Sequence, residues 1–588
     1  MGRRGRVILL LLVGTAAASL YLCAVVRQKH CLNLSATAGG QYPYLRYAHG
    51  FAAEGLLHHW GDRNRMPLVP ALLSLLGDAD GDTLLTRGAW FSIVSSLVCL
   101  AVIGGIAYRV LSPPFATVLL LSAAFCAFLE RASFVQAEVL YYTLFFCLWL
   151  VLCRLLRRPT AGWAILAGAL AAVTYLTKAS VLLTLPVFAC SIVLQALPAV
   201  PRRVEGRSAV PSRRFLLAGL LVIVVFALVA SPYLLANRAR FGRCFYNVNS
   251  TFYFWCDNWQ QAGDLARAYD LTSGYPDALP HETPGLSRYW RTHTVAQVFQ
   301  RLRYGVRTLG DLALQAAYGR YLIVVGALFV VLVVSAWRHR PPLDRADFGV
   351  AVFCALLLGG YVLVYAWYVP IGYGDRFVLS LFLPTLFGML WLTDRLVAHR
   401  RSLPRPGWLV RAPSIVNTTL VVLLLGQGAW ATATACQPPP LFVAFYHAES
   451  LEAGRAGDLA EAQRGFAGVL RLDPHFVPAL RDLGMLHLQQ RHWPEAIDTL
   501  STAVRLDPHH ADLHNSLGSA LVQAGRAPEA LAAFQRAVEL DPTFDTAWYN
   551  LGGTCHALGQ LDDARVARDR LFQVNPKLAQ QLDQLLAP

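Results

Sequence analysis

The chain has 588 residues, 55% of them hydrophobic and 15% charged, with a net charge of +15 at pH 7. The apolar residues fall in long runs, which excludes a single small soluble domain and points to a membrane protein of more than one part. The basic residues crowd into short stretches between those runs, the pattern of membrane flanks, so no nucleic-acid partner is expected.

Most of the 12 cysteines sit inside apolar runs, where a thiol packs as a small hydrophobe. With no C-x-x-C pair, neither a zinc site nor a disulfide framework is expected. Cys244 and Cys256 are close enough in sequence for one bridge. No cofactor is expected, and a divalent metal stays open.

In chain order, Arg3, Arg4 and Arg6 precede an apolar run over 7–26, read as an uncleaved anchor with its N-terminus inside. Further candidate spans are 89–108, 115–128, 139–153, 162–176, 179–197, 215–235, 321–337, 348–367, 377–392 and 415–435. Together they predict an all-α, polytopic transmembrane helix bundle of about eleven spans over residues 1–436, surrounded by membrane lipid. Alternating these spans puts Arg109 and the arginine-rich stretches 154–158, 202–214, 338–345 and 395–411 on the side of the N-terminus, which is then cytoplasmic. The opposite side receives a first extracytoplasmic loop over 27–88, a large loop over 236–320, and everything after 436. The large loop combines Phe252, Tyr253, Phe254, Trp255 and Trp259 with Asp257, Asp264 and Asp270.

From 441 to 588 the text becomes polar, alanine-rich and periodic. Leu472-Asp473-Pro474 returns as Leu506-Asp507-Pro508 and Leu540-Asp541-Pro542, and Gly484, Gly518 and Gly552 keep the same 34-residue interval. This resembles the tetratricopeptide repeat, a helix–turn–helix unit of that period stacked into an α-solenoid. Such a solenoid implies a protein partner or acceptor docked by the repeats, outside the cytoplasm.

Several stretches of the first 400 residues form a second pattern. They are Tyr44-Leu45-x-x-Ala48, Arg65-Met66-Pro67-Leu68, Glu138-Val139-Leu140 and Leu176-Thr177-Lys178-Ala179, followed by Pro232-Tyr233 with Asn237-Arg238 and Phe241-Gly242, and Gly374-Asp375-Arg376-Phe377 with Pro384. In this order they resemble the polyprenyl-phosphate-sugar-dependent, C-superfamily membrane glycosyltransferases, a group that includes protein mannosyltransferases and aminoarabinose transferases. The resemblance implies inverting transfer of a sugar from a polyprenyl-phosphate donor to an extracytoplasmic protein, glycan or lipid acceptor. A carboxylate must take the acceptor's proton, and cations must hold the departing phosphate. Glu138, Asp62 and Glu54 are the candidate acids; Arg65, Arg376, Lys178 and Arg238 are the candidate phosphate and donor ligands. One position departs from the family: its acid four residues before the loop tyrosine is Gly40 here. The alternative is therefore a catalytically decayed membrane scaffold that presents a protein-binding tetratricopeptide solenoid.

Overall fold

The computed structural model describes residues 3–55, 66–77, 81–196, 212–246, 253–258, 260–262, 285–315, 345–371, 376–400, 407–438 and 442–586. Every regular element among these residues is helical. Two compact units emerge, Met1–Cys31 with Pro43–Cys436, and Leu32–Tyr42 with Gln437–Pro588. The sequence reading left Leu32–Tyr42 inside a membrane loop; it packs instead within the second unit.

The first unit holds α1 (Arg3–Cys31), α2 (Tyr42–Glu54), α3 (Leu68–Ser74), α4 (Gly81–Val110), α5 (Pro113–Ser122), α6 (Glu138–Arg157), α7 (Ala161–Thr177), α8 (Thr184–Ala196), α9 (Ser212–Phe241), α10 (Leu286–Thr292), α11 (Val295–Gln315), α12 (Arg345–Tyr368), α13 (Arg376–Arg400) and α14 (Gly407–Ala433). Among the described residues, five stretches are long and apolar enough to cross a membrane: Ile8–Cys31, Thr83–Val110, Glu138–Arg157, Arg213–Ala239 and Gly349–Tyr368. Pro113–Phe128, Ala161–Thr177 and Ala179–Gln195 are apolar but shorter. At 1.5 Å per residue such helices reach at most about 26 Å, against about 30 Å of hydrocarbon. The count of about eleven is corrected accordingly, since candidates 115–128, 162–176 and 179–197 fall on the shorter helices. The chain itself explains this: α5 runs into a π-helical turn at Ala123–Phe128, and the backbone breaks at Lys178 between α7 and α8. Candidate 321–337 lies outside the described residues, while 377–392 falls within α13 and 415–435 largely within α14.

Small residues and charges at helix ends fix the packing of this unit. A Cβ on Gly168 would lie 2.6 Å from the Val222 carbonyl oxygen, so α7 and α9 touch backbone to backbone. Asp394 accepts from the Ser112 amide (2.6 Å) and hydroxyl (2.8 Å) just ahead of α5. Arg157 and Arg395 lie 4.9 and 4.4 Å from the Trp391 ring, joining the C-terminal ends of α6 and α13. α1 pairs with α14: Arg27 donates to the Thr432 carbonyl at 2.8 Å, and the Thr432 hydroxyl to the Leu20 carbonyl at 3.1 Å. That pairing brings together Cys31 and Cys436, 405 residues apart, in a disulfide with Cα atoms 5.1 Å apart. Cys244 and Cys256, close enough in sequence for a bridge, are free thiols.

The second unit is a stack of helix pairs: α15 (Phe442–Arg455) with α16 (Leu459–Leu472), α17 (Val477–Gln489) with α18 (Trp493–Leu506), α19 (Ala511–Gln523) with α20 (Ala527–Leu540), and α21 (Asp545–Ala557) with α22 (Leu561–Val574), closed by α23 (Pro576–Leu586). The recurring glycine lets the partner side chain in: a Cβ on Gly484 would meet Leu500 at 2.6 Å, and one on Gly518 would meet Phe534 at the same distance. In the repeated Asp-Pro turn, the Asp473 and Asp541 carboxylates accept from the amides of His475 and Thr543, two residues on. This local bond holds the turn between one pair and the next.

Each pair turns through a left-handed residue at the same 34-residue interval, Gly457, Arg491, Gly525 and Gly559, with φ of 86°, 63°, 75° and 76°. Glycine adopts this conformation freely, whereas a residue with a Cβ is strained by about 1–2 kcal/mol. Arg491→Gly is therefore expected to stabilise the repeat unit by about 1 kcal/mol, seen as a raised denaturation midpoint in urea.

Candidate functional site

Glu138 opens α6 and is buried. α7 ends at Thr177, Lys178 is extended (φ −158°, ψ 125°), and a 3-10 turn at Ala179–Leu183 leads into α8. The break swings Lys178 Nζ to 3.4 Å from Glu138 Oε1 and 5.4 Å from the centre of the Tyr141 ring. Irregular backbone among apolar helices needs partners for its freed polar groups, and the neighbouring hydroxyls supply them. The Tyr361 hydroxyl donates to the Ser180 carbonyl (2.9 Å) and lies 3.1 Å from the Thr184 hydroxyl. The Ser180 hydroxyl donates to Tyr141 at 2.9 Å, and Tyr365 and Ser380 share a bond of 3.0 Å. A carboxylate, an ammonium and three tyrosines thus gather where α6, α12 and α13 meet the break.

Of the residues singled out from sequence, the structure brings together Glu138 and Lys178. Glu54 is exposed at the end of α2, and Arg238 is exposed near the end of α9. Arg376 is the first residue of α13, with its side chain outside the described residues; Asp62 and Arg65 lie wholly outside them. Sequence reasoning missed Tyr141, Ser180, Tyr361, Tyr365 and Ser380. The four-residue spacing of Tyr361 and Tyr365, which places both hydroxyls on one helix face, was the available signal. Among the described residues, no group of three His, Cys, Asp or Glu side chains is placed to hold a metal ion.

A second polar cluster ties the described part of the large loop to the end of α12. Arg301 is buried and donates to Asp257 (3.0 Å), the Tyr289 hydroxyl (3.0 Å) and the carbonyls of Cys256 (2.7 Å) and Trp367 (3.0 Å). Asp257 also accepts from the Tyr289 hydroxyl at 2.7 Å and meets His293 Nε2 at 2.8 Å. Burial pushes the Asp257 carboxyl up, but these hydrogen bonds and the neighbouring positive charge outweigh it and hold the group below its ordinary value. Every partner here is satisfied, so the cluster acts as a tie.

Gly40, where the resemblance implies an acid, has a structural role. Gly40 has φ +74° and ends a 3-10 turn, Ala38–Gly40, and a Cβ there would lie 3.4 Å from the Phe445 ring. The flanking residues are hydrogen-bonded to the first helix pair. Ser35 bonds the Tyr446 hydroxyl (2.8 Å), Thr37 bonds the Ser450 hydroxyl (3.1 Å), and Tyr42 donates to Asp458 (3.2 Å). The Thr37 amide donates to buried Glu461 at 3.0 Å, and Arg464 donates twice to the other carboxylate oxygen (3.0 and 2.8 Å). Burial keeps the Glu461 carboxyl above its ordinary value despite these donors. The segment caps the open end of the stack, a place where a solenoid otherwise exposes unpaired packing surface. It also engages Asn33-Leu34-Ser35, a tripeptide of the N-glycosylation acceptor form, since Gln41 donates to the Asn33 side chain and Ser35 is buried.

Between successive pairs runs a row of side-chain bonds: His447 to Asp482 (2.7 Å), Arg481 to Asp512 (3.4 Å), Asn550 to Asn515 (2.9 Å) and Asn575 to Asp545 (2.7 Å).

Three overlapping matches to the tetratricopeptide-repeat family model cover residues 447–511, 481–544 and 515–569. The second unit carries tetratricopeptide repeats. Among solved structures, a crystal structure of MamA is 29% identical with a TM-score of 0.23, covering 23% of this chain and 81% of that one. YrrB, a tetratricopeptide-repeat protein with an unusual peptide-binding site, is 26% identical with a TM-score of 0.21, covering 22% of this chain and 68% of its own. A mutant O-GlcNAc transferase from Thermobaculum terrenum is 28% identical with a TM-score of 0.21, covering 22% of this chain and 26% of its own. Scores this low leave the assignment to the repeat model. Comparison with curated protein sequences gives no match.

The tetratricopeptide unit has an acid-labile joint. Burial pushes Asp482 up, but the hydrogen bonds from His447 and Arg481 and the Arg481 charge outweigh it, leaving the carboxyl below its ordinary value. A depressed folded value means stability present above the unfolded carboxylate pKa of about 3.9 and lost as pH falls through the folded value. Urea midpoints of the wild type are expected to fall below about pH 4, with a shallower fall in Asp482→Asn. In the first unit, Lys178→Met leaves the Glu138 carboxylate without its ammonium, and about 1–3 kcal/mol of stability is expected to go, discounted for the partial exposure of Lys178. Lys178→Met with Glu138→Gln should recover most of that loss in thermal unfolding of the detergent-solubilised protein.

Proposed function

We propose that the protein is a membrane-anchored docking scaffold, in which a polytopic helical unit holds a tetratricopeptide unit outside the cytoplasm to capture a protein partner. The observation that carries this reading is the stack of helix pairs, matched over residues 447–569 by the tetratricopeptide-repeat model, with a cap from Leu32–Tyr42. Stacked pairs offer an extended surface on which equivalent positions recur every 34 residues. Arg481, Asn515 and Tyr549 hold one such position on α17, α19 and α21, so they form a row along the stack that a bound segment would follow. One observation supports the extracytoplasmic side: Cys31–Cys436 is a disulfide, a bond that persists in oxidising compartments. Gly40 supports the scaffold, because the position of the expected acid serves the cap.

A second reading is favoured by one observation, the Glu138–Lys178 pair at the helix break. In that reading the first unit transfers a sugar from a polyprenyl-phosphate donor. The acceptor hydroxyl attacks the anomeric carbon and loses its proton to Glu138, and the bond from that carbon to the phosphate oxygen breaks. Polyprenyl phosphate then leaves, held by Lys178 together with Arg65, Arg376 and Arg238, and the docked partner is the acceptor.

A photo-crosslinking residue at Asn515 in the full chain, in native membranes, is expected to label one discrete protein and to lose it in Arg481→Glu; diffuse labelling unchanged by Arg481→Glu contradicts docking along this row. Sealed vesicles of known orientation give the side: protease added outside right-side-out vesicles should cut the repeats, and protection there contradicts it. Transfer from a labelled polyprenyl-phosphate sugar separates the two readings. The transferase reading expects Glu138→Gln to lower the rate by about 10²–10⁴, whereas the scaffold reading expects no transfer by the wild type.

A further inference from the structure

The strongest unassigned surface lies on α11, Val295–Gln315, whose sequence divides lengthwise into three sectors. One sector packs on the protein: Val298, Arg301, Leu309 and Leu312 are buried, and a Cβ on Gly305 would overlap the Ala366 carbonyl of α12. Next to it, Val295, Phe299 and Val306 sit at i, i+4 and i+11, one stripe of a 3.6-residue helix, and are 63%, 72% and 46% exposed. The rest of the circumference is polar and exposed, with Gln297, Gln300, Arg303, Tyr304, Arg307 and Asp311. Arg303 and Arg307 are the polar residues nearest the bare stripe at 100° per residue.

A helix standing upright among lipid tails would bury its polar third, at a cost of several kcal/mol per charge. A helix in water would leave Phe299 bare. Lying flat at the boundary satisfies both sectors, and the attachment of α11 sets that level. Arg301 donates to the carbonyl of Trp367, the penultimate residue of the span Gly349–Tyr368. We infer that α11 is an interfacial helix that docks on an anionic phospholipid surface, with Phe299 and its stripe among the upper acyl chains and Arg303 and Arg307 on the headgroup phosphates. The charge fits this ligand: two arginines border the stripe, and Asp311 is further round the helix. The inference rests on the membrane-spanning part of the proposed function and is independent of what the repeats dock.

The full-length protein is reconstituted in vesicles with a photoactivatable phosphatidylglycerol or its phosphatidylcholine counterpart, each carrying the reactive group high in the acyl chain. After illumination and trypsin digestion, two peptides decide: residues 88–109, from α4, and residues 292–301, which hold Val295 and Phe299. Both lipids are expected to label 88–109. Phosphatidylglycerol is expected to label 292–301 roughly thirtyfold more than phosphatidylcholine, the scale of two arginines at an anionic surface, and Arg303→Gln with Arg307→Gln should remove that preference. Labelling of 88–109 without 292–301 overturns the interfacial helix. Equal labelling of 292–301 by both lipids overturns the anionic surface, and absence of label from both peptides overturns the membrane reading on which the inference stands.

Discussion

A carboxylate that cannot reach water governs how the repeat unit is assembled. Glu461 is 2% exposed, and a buried carboxylate without donors costs several kcal/mol. Arg464, one turn along the same helix, satisfies one oxygen; the other is reached by the amide of Thr37, 424 residues away in sequence. Around that bond Ser35, Tyr446, Ser450 and Tyr42 extend the network. The glycines of α16 make the room, since a Cβ on Gly465 would overlap the Ser450 and Thr37 hydroxyls and one on Gly468 would overlap the Tyr446 hydroxyl. The first helix pair is therefore complete only with Leu32–Tyr42 in place.

That requirement shapes the rest of the chain. The residues that precede Leu32 and Gln437 in the chain, Cys31 and Cys436, are joined by a disulfide. It also gives Gly40 its place. An Asp at position 40 would adopt a left-handed backbone against the Phe445 ring, and the cap would be strained. The Glu138–Lys178 pair is built from helix ends within the first unit and does not depend on the cap, which is why it carries a separate reading.

The repeats were legible because their packing rule repeats. A glycine must admit Leu500 or Phe534, and an Asp-Pro turn must follow, so the same letters return every 34 residues. The left-handed series Gly457, Gly525 and Gly559 was not read from sequence, because Arg491 occupies the same backbone with another residue and breaks the pattern. Leu32–Tyr42 was illegible: its partners lie more than 400 residues away, and a capping segment has no period. Lys178 was noticed, but a run of apolar residues on either side reads as two spans, whereas the structure shows an interrupted path whose kink turns the ammonium toward Glu138. The tie at Arg301 was not legible, because Asp257 and the Tyr289–His293 pair at α10 come from segments about thirty residues apart in a long loop.

The most direct measurement is hydrogen exchange at the Thr37 amide in the full-length protein, followed by mass spectrometry of residues 32–42 beside a peptide from Phe442–Arg455. The account predicts that the two exchange with the same protection and lose it together when Glu461→Gln weakens the shared bond. Exchange of residues 32–42 at the rate of an open loop, while Phe442–Arg455 stays protected, would contradict it.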